Sequence, residues 1–569
     1  MAFIVKKKIK GRDYFYLNEN KRVPSNAGGT KVKTKTIAYL GKKREDAEKK
    51  AKEIIGKMTE KREEKMKENE EGKVSGKNVE ETKISIEEMA VFCRRKGFVY
   101  LSGEIYGGLA GFWDFGHLGV ELKNNIKKEW WNFFVRKRRD ITGIDGSIIT
   151  NPKIWEASGH VLNFMDVAVV CRKCGNKTKL EKSEVGKVKC EKCGGEFENK
   201  GEFLNMFTTN VGPVKEDSLK AYLRPETAQL IFSNFKFVQE SARMKLPFGI
   251  AQIGKAFRNE ISPRDFLFRM REFEQMEIEY FTKPNDKCPY EIGDTEILVY
   301  SAEMQEKNLE SKRMKFKDAL KKGVIKTDWH AYWMEQEFLW FVNLGANAEK
   351  FRIRQHVSDE KSHYALDTWD LEYRFPFGWK ELQGMANRTD FDLRQHEKFS
   401  GKDLKIFDDE TKEKFLPHVA CEPSQGVERA FLVFMFDAYK YDEKRKNIVL
   451  KLHPKLAPVK AAVFPIVKRD DFEKFSMKIV EELGEEWNVV YDESGSIGRR
   501  YSRQDETGTP FCITVDEDSL KNKDVTVRDR DSTEQVRIKT DKLKESIRKA
   551  IDGEKFSKFG KKINTRKKI

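Results

Sequence analysis

The stretch 248–281 constrains this chain more than any other feature. It opens with an apolar run, Phe248-Gly-Ile-Ala-Gln-Ile253, and continues as Gly254-Lys-Ala-Phe-Arg258-Asn-Glu260-Ile-Ser-Pro-Arg264. After a short loop comes Arg269-Met-Arg-Glu-Phe273-Glu-Gln-Met-Glu277-Ile-Glu-Tyr-Phe281. The spacing predicts two antiparallel strands joined by a mobile loop. Residues two apart on a strand share a face, so Arg258 and Glu260 are expected to point together, as are Arg269, Arg271, Phe273, Gln275 and Glu277. Guanidiniums, an aromatic plate and carboxylates on one face supply phosphate neutralisation, base stacking and amine recognition, the needs of a nucleotide. A solvated charged hairpin would not interleave these types so regularly.

Two further segments are candidates for the same site. Tyr222-Leu-Arg-Pro-Glu226-Thr-Ala-Gln places a carboxylate in a Pro-fixed turn leading into a helix. Cys421-Glu422-Pro423-Ser424-Gln-Gly426-Val-Glu-Arg429 gives a turn with an acid and a hydroxyl, then an arginine at the start of a strongly apolar helix. A helix N-terminus with an added arginine is a ready anion site, although a buried arginine capping a helix is also common.

Four cysteines form two knuckles, Cys171-x2-Cys174 and Cys190-x2-Cys193, with Gly175 and Gly194-Gly195 placed to let the knuckles turn. This spacing matches a four-thiolate zinc ribbon. A closed set of four leaves no open coordination position, so the expected Zn2+ is structural; a redox dithiol pair is the alternative. Cys93, Cys288, Cys421 and Cys512 stand alone and read as packing residues.

Around these motifs, residues 1–41 read as a basic strand pair or meander and 42–84 as an amphipathic helix fraying into a charged linker. Ser85 and Glu88 form a capping box that opens the dense body, 85–452, with candidate insertions at 167–200 (the ribbon) and 284–326 (helical). Strands alternating with helices over 453–552 indicate a compact α/β domain, and 553–569 is a basic tail. At 569 residues the chain has room for several cores. Its net charge of +17 is uneven: residues 1–40 carry +8 and residues 553–569 carry +6. That surplus makes a polyanion the first partner to consider, against the alternative that lysine-rich ends only solubilise. No run approaches the roughly 18–20 apolar residues of a membrane span. The expected location is cytoplasmic, which in turn favours metal or free thiols over disulfides.

Phe257-Arg258-x-Glu260 followed by Arg269-x3-Phe273-x3-Glu277 resembles motif 2 of the class II aminoacyl-tRNA synthetases, and Gly426-x2-Arg429 resembles their motif 3. Gly111 to Lys123 through Asn151-Pro152 is similar to motif 1, with His117 where that family usually has proline. Within the class, Trp155-Glu-Ala-Ser-Gly-His160, Arg224-Pro-Glu-Thr-Ala-Gln229, Phe375-Pro-Phe-Gly-Trp-Lys-Glu381-Leu-Gln-Gly and Glu422-Pro-Ser424 resemble the homodimeric glycyl-tRNA synthetases of archaeal and eukaryotic-like type. The resemblance runs from about 85 to about 540. It implies an α+β protein: an antiparallel-sheet catalytic core with a zinc-ribbon insertion and a C-terminal α/β anticodon-binding domain.

The resemblance also implies roles. Arg258 would hold the ATP α-phosphate, Glu260 would read the adenine amino group and Phe273 would stack under the ring. Asn259, Phe268, Met270, Leu382 and Gly426 complete the ATP site. Arg269 and Arg429 would grip the γ-phosphate, and Glu381 would help to hold Mg2+ on the bent triphosphate, so that Arg258, Glu381 and Arg429 form the catalytic set. Glycine would lie against Glu226, Phe273, Glu277, Glu422, Pro423 and Ser424, whose side chains would exclude larger amino acids by clash. The partners implied are tRNA(Gly), ATP and a second copy of the chain. Lys179-Leu-Glu181 stands near where the family often has Arg-Ala-Asp, so no ribbon contribution to glycine or tRNA binding is carried over. Arg499, Arg500 and Arg503 are expected to meet RNA phosphates. The competing readings are a catalytically silent synthetase-like RNA-binding subunit and a synthetase for threonine, proline or serine.

Overall fold

This computed structural model describes residues 2–9, 12–24, 30–41, 50, 84–180, 184–213, 218–360, 366–408 and 410–563, in two units, Met1–Glu81 and Thr82–Ile569. In the first unit β1 (Ala2–Ile9), β2 (Arg12–Pro24) and β3 (Thr30–Gly41) form the expected antiparallel meander. The helix and linker expected over 42–84 lie outside the described residues, apart from residues 50 and 84.

The second unit begins with α1 (Ile86–Lys96). The Ser85 hydroxyl accepts from the Glu88 N–H at 3.1 Å and the Glu88 carboxylate accepts from the Ser85 N–H at 2.9 Å, satisfying donors that a helix start leaves orphaned. In α2 (His117–Trp131), Leu118, Leu122, Ile126 and Trp130 recur every four residues and are buried as one stripe.

The centre of this unit is a sheet that comprises, among the described residues, nine strands. These are β4 (Ile141–Ile144), β5 (Phe248–Phe257), β6 (Glu272–Thr282), β7 (Glu296–Tyr300), β8 (Lys312–Lys315), β9 (Phe351–Gln355), β10 (Asp367–Phe375), β11 (Gly378–Asn387) and β12 (His418–Gly426). Their spatial order is β8-β7-β9-β10-β11-β12-β6-β5-β4. All neighbours are antiparallel except β4 with β5 and β7 with β9. On β6, Met276, Ile278 and Tyr280 enter a core built with α2, α4 (Asp328–Asn343) and α6 (Val427–Ala438). The alternate residues Gln275, Glu277 and Glu279 point to the other face, yet they too are buried. Their polarity therefore has a reason other than solvation. Phe281, next on that face, packs with Phe232 and Phe235 of α3 (Ala228–Ser241) and with Leu393 of α5 (Phe391–Ser400).

Residues 284–326 are not a helical insertion. They contain β7 and β8, which extend the central sheet at one edge, with only short helices between and after them. Alternation at Glu296–Tyr300 was masked in the sequence by the lysine-rich stretch that follows. The ribbon is a separate three-stranded sheet of Met165–Cys171, Lys177–Leu180 and Phe197–Leu204.

The C-terminal domain carries three parallel strands, Val489–Tyr491, Ala461–Pro465 and Phe511–Val515, continued by antiparallel Asp524–Asp529 and Gln535–Lys539. Its sheet ends on Lys561–Lys562, so the domain extends beyond 552 into the segment read as a tail. Arg499, Arg500 and Arg503 lie on a helix, Ile497–Thr507. Arg500 is buried in it and donates to the carbonyls of Pro465 and Glu493, and Arg503 is held by Asp492. Of the three arginines expected at RNA, Arg499 is the exposed one without such ties. Among the described residues no helix is long and apolar enough to cross a membrane.

Candidate active site

Strands β6, β11 and β12 lie side by side, and their register sets Glu277 opposite Ser424 and Ser424 opposite Gly384. Above them opens a cavity of about 480 Å³. Strand β5 ends at Phe257, so Arg258 and Glu260 reach this cavity from the turn beyond it rather than as strand neighbours. The loop that follows is closed by an antiparallel bridge between Arg264 and Arg269. Arg271 does not join the face expected of it: its Nε donates to the Glu260 carbonyl at 2.8 Å and its Nη1 to the Ala110 carbonyl at 2.9 Å, which pins the turn. A second pin is Arg224, 1% exposed, whose Nε and Nη1 donate to the carbonyls of Lys255 and Gly146. A Cβ on Gly254 would come within 2.1 Å of its Nη2, so only glycine fits there.

One group of lining residues is acidic. Glu226, Glu277 and Glu422 all border the cavity, with Glu279 buried beside them; the carboxylates of Glu277, Glu279 and Glu422 lie within 4.8 Å of one another. Burial raises the Glu277 and Glu422 carboxyls, Glu422 to about 8, through loss of hydration and mutual repulsion, which Arg388 only partly offsets. Glu279 is also pushed well up by burial and by Glu422, and neither of its oxygens accepts a hydrogen bond among the described residues. Burial also acts against ionised Glu226, but His160 at 3.3 Å, Arg388 and Arg258 outweigh it and hold this carboxyl well below the usual range. The result is a pocket with one firmly ionised acid, Glu226, beside others whose charged forms burial disfavours. Ser424 accepts from Gln275 at 3.2 Å, and the Thr227 hydroxyl donates to Glu277.

The other group suits phosphates and a flat ring. The Arg429 guanidinium lies 3.0 Å from the Glu381 carboxylate and 4.7 Å from the centre of the Phe268 ring. Arg429 lowers the Glu381 carboxyl below its ordinary value, against the effect of burial. Arg258 lines the same cavity, lies 5.4 Å from the Phe273 ring centre, and its charge lowers the carboxyls of both Glu226 and Glu381. Arg269, Met270, Leu382 and Gly426 also line the cavity, Gly426 as the residue that starts α6.

Two expected residues do not line it. Asn259 has its N–H on the Asn205 carbonyl at 2.8 Å, and Pro423 lies within β12 opposite Met385. Several residues that do belong went unread. Glu279 was available from the alternation of β6, since it follows Glu277 by two. Arg388 pairs with Asp392 four residues on and with Glu422 across the sheet, and His160, which ends the motif from Trp155, pairs with Glu226 66 residues on, contacts that local alternation does not encode. His356, just past β9, and Asp370 of β10, 2.8 Å apart, line the cavity. Lys179 reaches it from the ribbon.

The four ribbon sulfurs also fall within 4.8 Å of one another, with Cys171 to Cys193 at 3.4 Å and Cys174 to Cys190 at 3.6 Å. A tetrahedron with Zn–S near 2.3 Å has edges of about 3.8 Å, so the donors fit zinc. Amides close both knuckles, Gly175 to the Cys171 carbonyl and Gly194 to the Cys190 carbonyl. A Cβ on Gly195 would stand 2.9 Å from Cys171 Sγ.

The tRNA synthetase class II core domain (G, H, P, S and T) family matches residues 207–438, and the anticodon binding domain family matches 460–550. Similar proteins include the glycine–tRNA ligases of Thermobifida fusca, 43% identical over 82% of this chain and 98% of the relative, and of Treponema denticola, 42% identical over 83% and 98%. That of Acetivibrio thermocellus is 44% identical over 81% and 98%.

Proposed function

Since this chain belongs to the glycine–tRNA ligases, class II synthetases that attach glycine to tRNA with ATP, we propose that the cavity between Glu226 and Arg429 is where glycine meets ATP. The observation that supports this reading is that Arg258 lines one cavity with the acid pocket and with Glu381 and lies 5.4 Å from the Phe273 ring centre. The α-phosphate is placed at Arg258, because it is the group that comes to join amino acid to nucleotide.

Glu226, Glu277 and Glu422 bind the glycine ammonium, with Ser424 and the Phe273 ring closing the space beside Cα. Larger amino acids are then excluded by contact, and a pocket that rejects by clash needs no editing step. Phe273 stacks under adenine and Glu260 accepts from its amino group. Arg269 and Arg429 bind the γ-phosphate. Glu381 is the residue to hold Mg2+, which class II synthetases use with ATP and which neutralises the triphosphate. The glycine carboxylate attacks the α-phosphorus in line, the bond to the bridging oxygen breaks and pyrophosphate leaves. The terminal ribose hydroxyl of tRNA then attacks the glycyl carbonyl, and AMP leaves. Positioning and charge neutralisation carry both steps, with no protein nucleophile.

Cys171, Cys174, Cys190 and Cys193 hold a structural zinc; the chain works as a cytoplasmic homodimer; residues 85–452 form the catalytic body and the domain from 453 reads the anticodon. Aminoacylation of total tRNA with each amino acid in turn tests the reading. Glycine alone should be charged; charging with threonine, proline or serine, or with none, would overturn it.

A further inference from the structure

The ribbon strand Lys177–Leu180 does more than close a metal site. It lies against the turn after β5, where the Ser262 hydroxyl donates to the Lys177 carbonyl at 2.9 Å. Lys179 extends from the same strand into the cavity. Its ammonium is 2.7 Å from Asp166 Oδ2 and 3.4 Å from Glu260 Oε2. Asp166 also accepts from the Asn205 side chain at 2.7 Å, and the Asn205 carbonyl accepts the Asn259 N–H, so the lysine and the turn share one anchor.

Glu260 itself is held unevenly. Its N–H is bonded to the Arg258 carbonyl and its carbonyl accepts from Arg271, which fixes the backbone. Its carboxylate is 13% exposed, and Oε2 is buried without a hydrogen-bond donor among the described residues. Lys179 is the cation that faces it.

We propose that Lys179 is a positioning residue for adenine recognition, holding the Glu260 carboxylate in the orientation that accepts from the 6-amino group of ATP. The proposal rests on the assignment of Glu260 to that amine. A carboxylate fixed by an ammonium presents its remaining lone pairs in one direction; released, it rotates toward water, and the amine loses its acceptor. The ribbon thereby becomes one wall of the nucleotide site, and the charge that sets nucleotide choice comes from an element outside the catalytic sheet.

The test is pyrophosphate exchange with ATP and with purine riboside triphosphate, which lacks the 6-amino group, in the full-length enzyme. The wild type should use ATP far better. Lys179→Met should raise KM for ATP about tenfold, with kcat little changed and KM for purine riboside triphosphate nearly constant, so that discrimination collapses. Lys179→Arg should restore it. In a Glu260→Gln background, adding Lys179→Met should change nothing further. Equal losses for both nucleotides, or unchanged discrimination in Lys179→Met, would overturn the proposal. A wild type that does not discriminate would overturn the Glu260 assignment itself.

Discussion

The guanidinium of Arg388 donates through Nη1 to both carboxylate oxygens of Glu422, at 3.0 and 3.1 Å, and through Nε and Nη2 to Asp392, at 2.7 and 2.8 Å. Arg388 is 1% exposed and is the buried cation against which the acid pocket is built. Replacing it by methionine keeps much of the volume but leaves two buried carboxylates without their partner. Breaking a buried pair in this way costs about 3–5 kcal/mol. Arg388→Met should therefore lower the urea midpoint sharply, and the surviving folded enzyme should show a raised KM for glycine. A midpoint close to wild type would mean that the carboxylates find other partners.

The contrast between Arg388 and Arg258 explains what the sequence could reveal. Phe273 and Glu277 sit on β6, and Arg258 and Glu260 on the turn that follows its antiparallel partner β5, so closeness in sequence brought them together. Glu226, Glu422 and Arg429 were readable as acids and a cation at helix entrances. Arg388, His160 and Lys179 meet the acids of the site through pairings 34 to 81 residues apart, with Glu422, Glu226 and Glu260, and strand alternation does not encode such closure. The central sheet was legible where alternation was clean and lost at β7 and β8, where charged neighbours hid it.

Arg258 lines the cavity together with the acids and Glu381, and on the proposed assignment it meets the α-phosphate. Its guanidinium donates through Nε to the Pro225 carbonyl at 3.1 Å and lies against the Phe273 and Phe164 rings. Arg258→Ala should cut glycine-dependent pyrophosphate exchange by roughly 10² to 10³ while shifting the melting temperature little. Near-normal exchange would sink the assignment.

Glu422, pushed up to about 8, keeps a proton in the empty pocket over a range where the unfolded chain has released it. The stability this confers is complete below the ordinary carboxylate value and is lost as pH rises through about 8. Glycine's ammonium favours the ionised form, so binding should expel a proton. KM for glycine should fall as pH goes from 6 toward 8 and then level off. Calorimetry in two buffers of different ionisation heat would show the released proton; buffer-independent heats would remove this account.

Zinc can be probed without touching a cysteine. A methyl group at Gly195 would press on Cys171 Sγ at 2.9 Å and on the Lys173 Cβ at 2.8 Å. Gly195→Ala should lower the zinc bound per chain, measured by metal analysis of the dialysed protein, and should raise the protease sensitivity of residues 165–204. Full zinc occupancy in the variant would show that the knuckle relaxes around the added carbon.

The uneven charge yields the last prediction. Residues 1–40 carry a net +8 and lie in a contact unit of their own, Met1–Glu81, whereas the cavity lies wholly in the second unit. If that basic meander meets tRNA, each phosphate it neutralises adds about 0.7–0.9 to the slope of log affinity against log salt. Removing residues 1–81 should therefore flatten the slope by about 2 or more and weaken tRNA binding most at low salt, while pyrophosphate exchange, which needs no tRNA, stays near wild type. A slope that does not change would confine RNA contact to the body and the C-terminal domain, and the surplus charge at the start of the chain would then serve solubility alone.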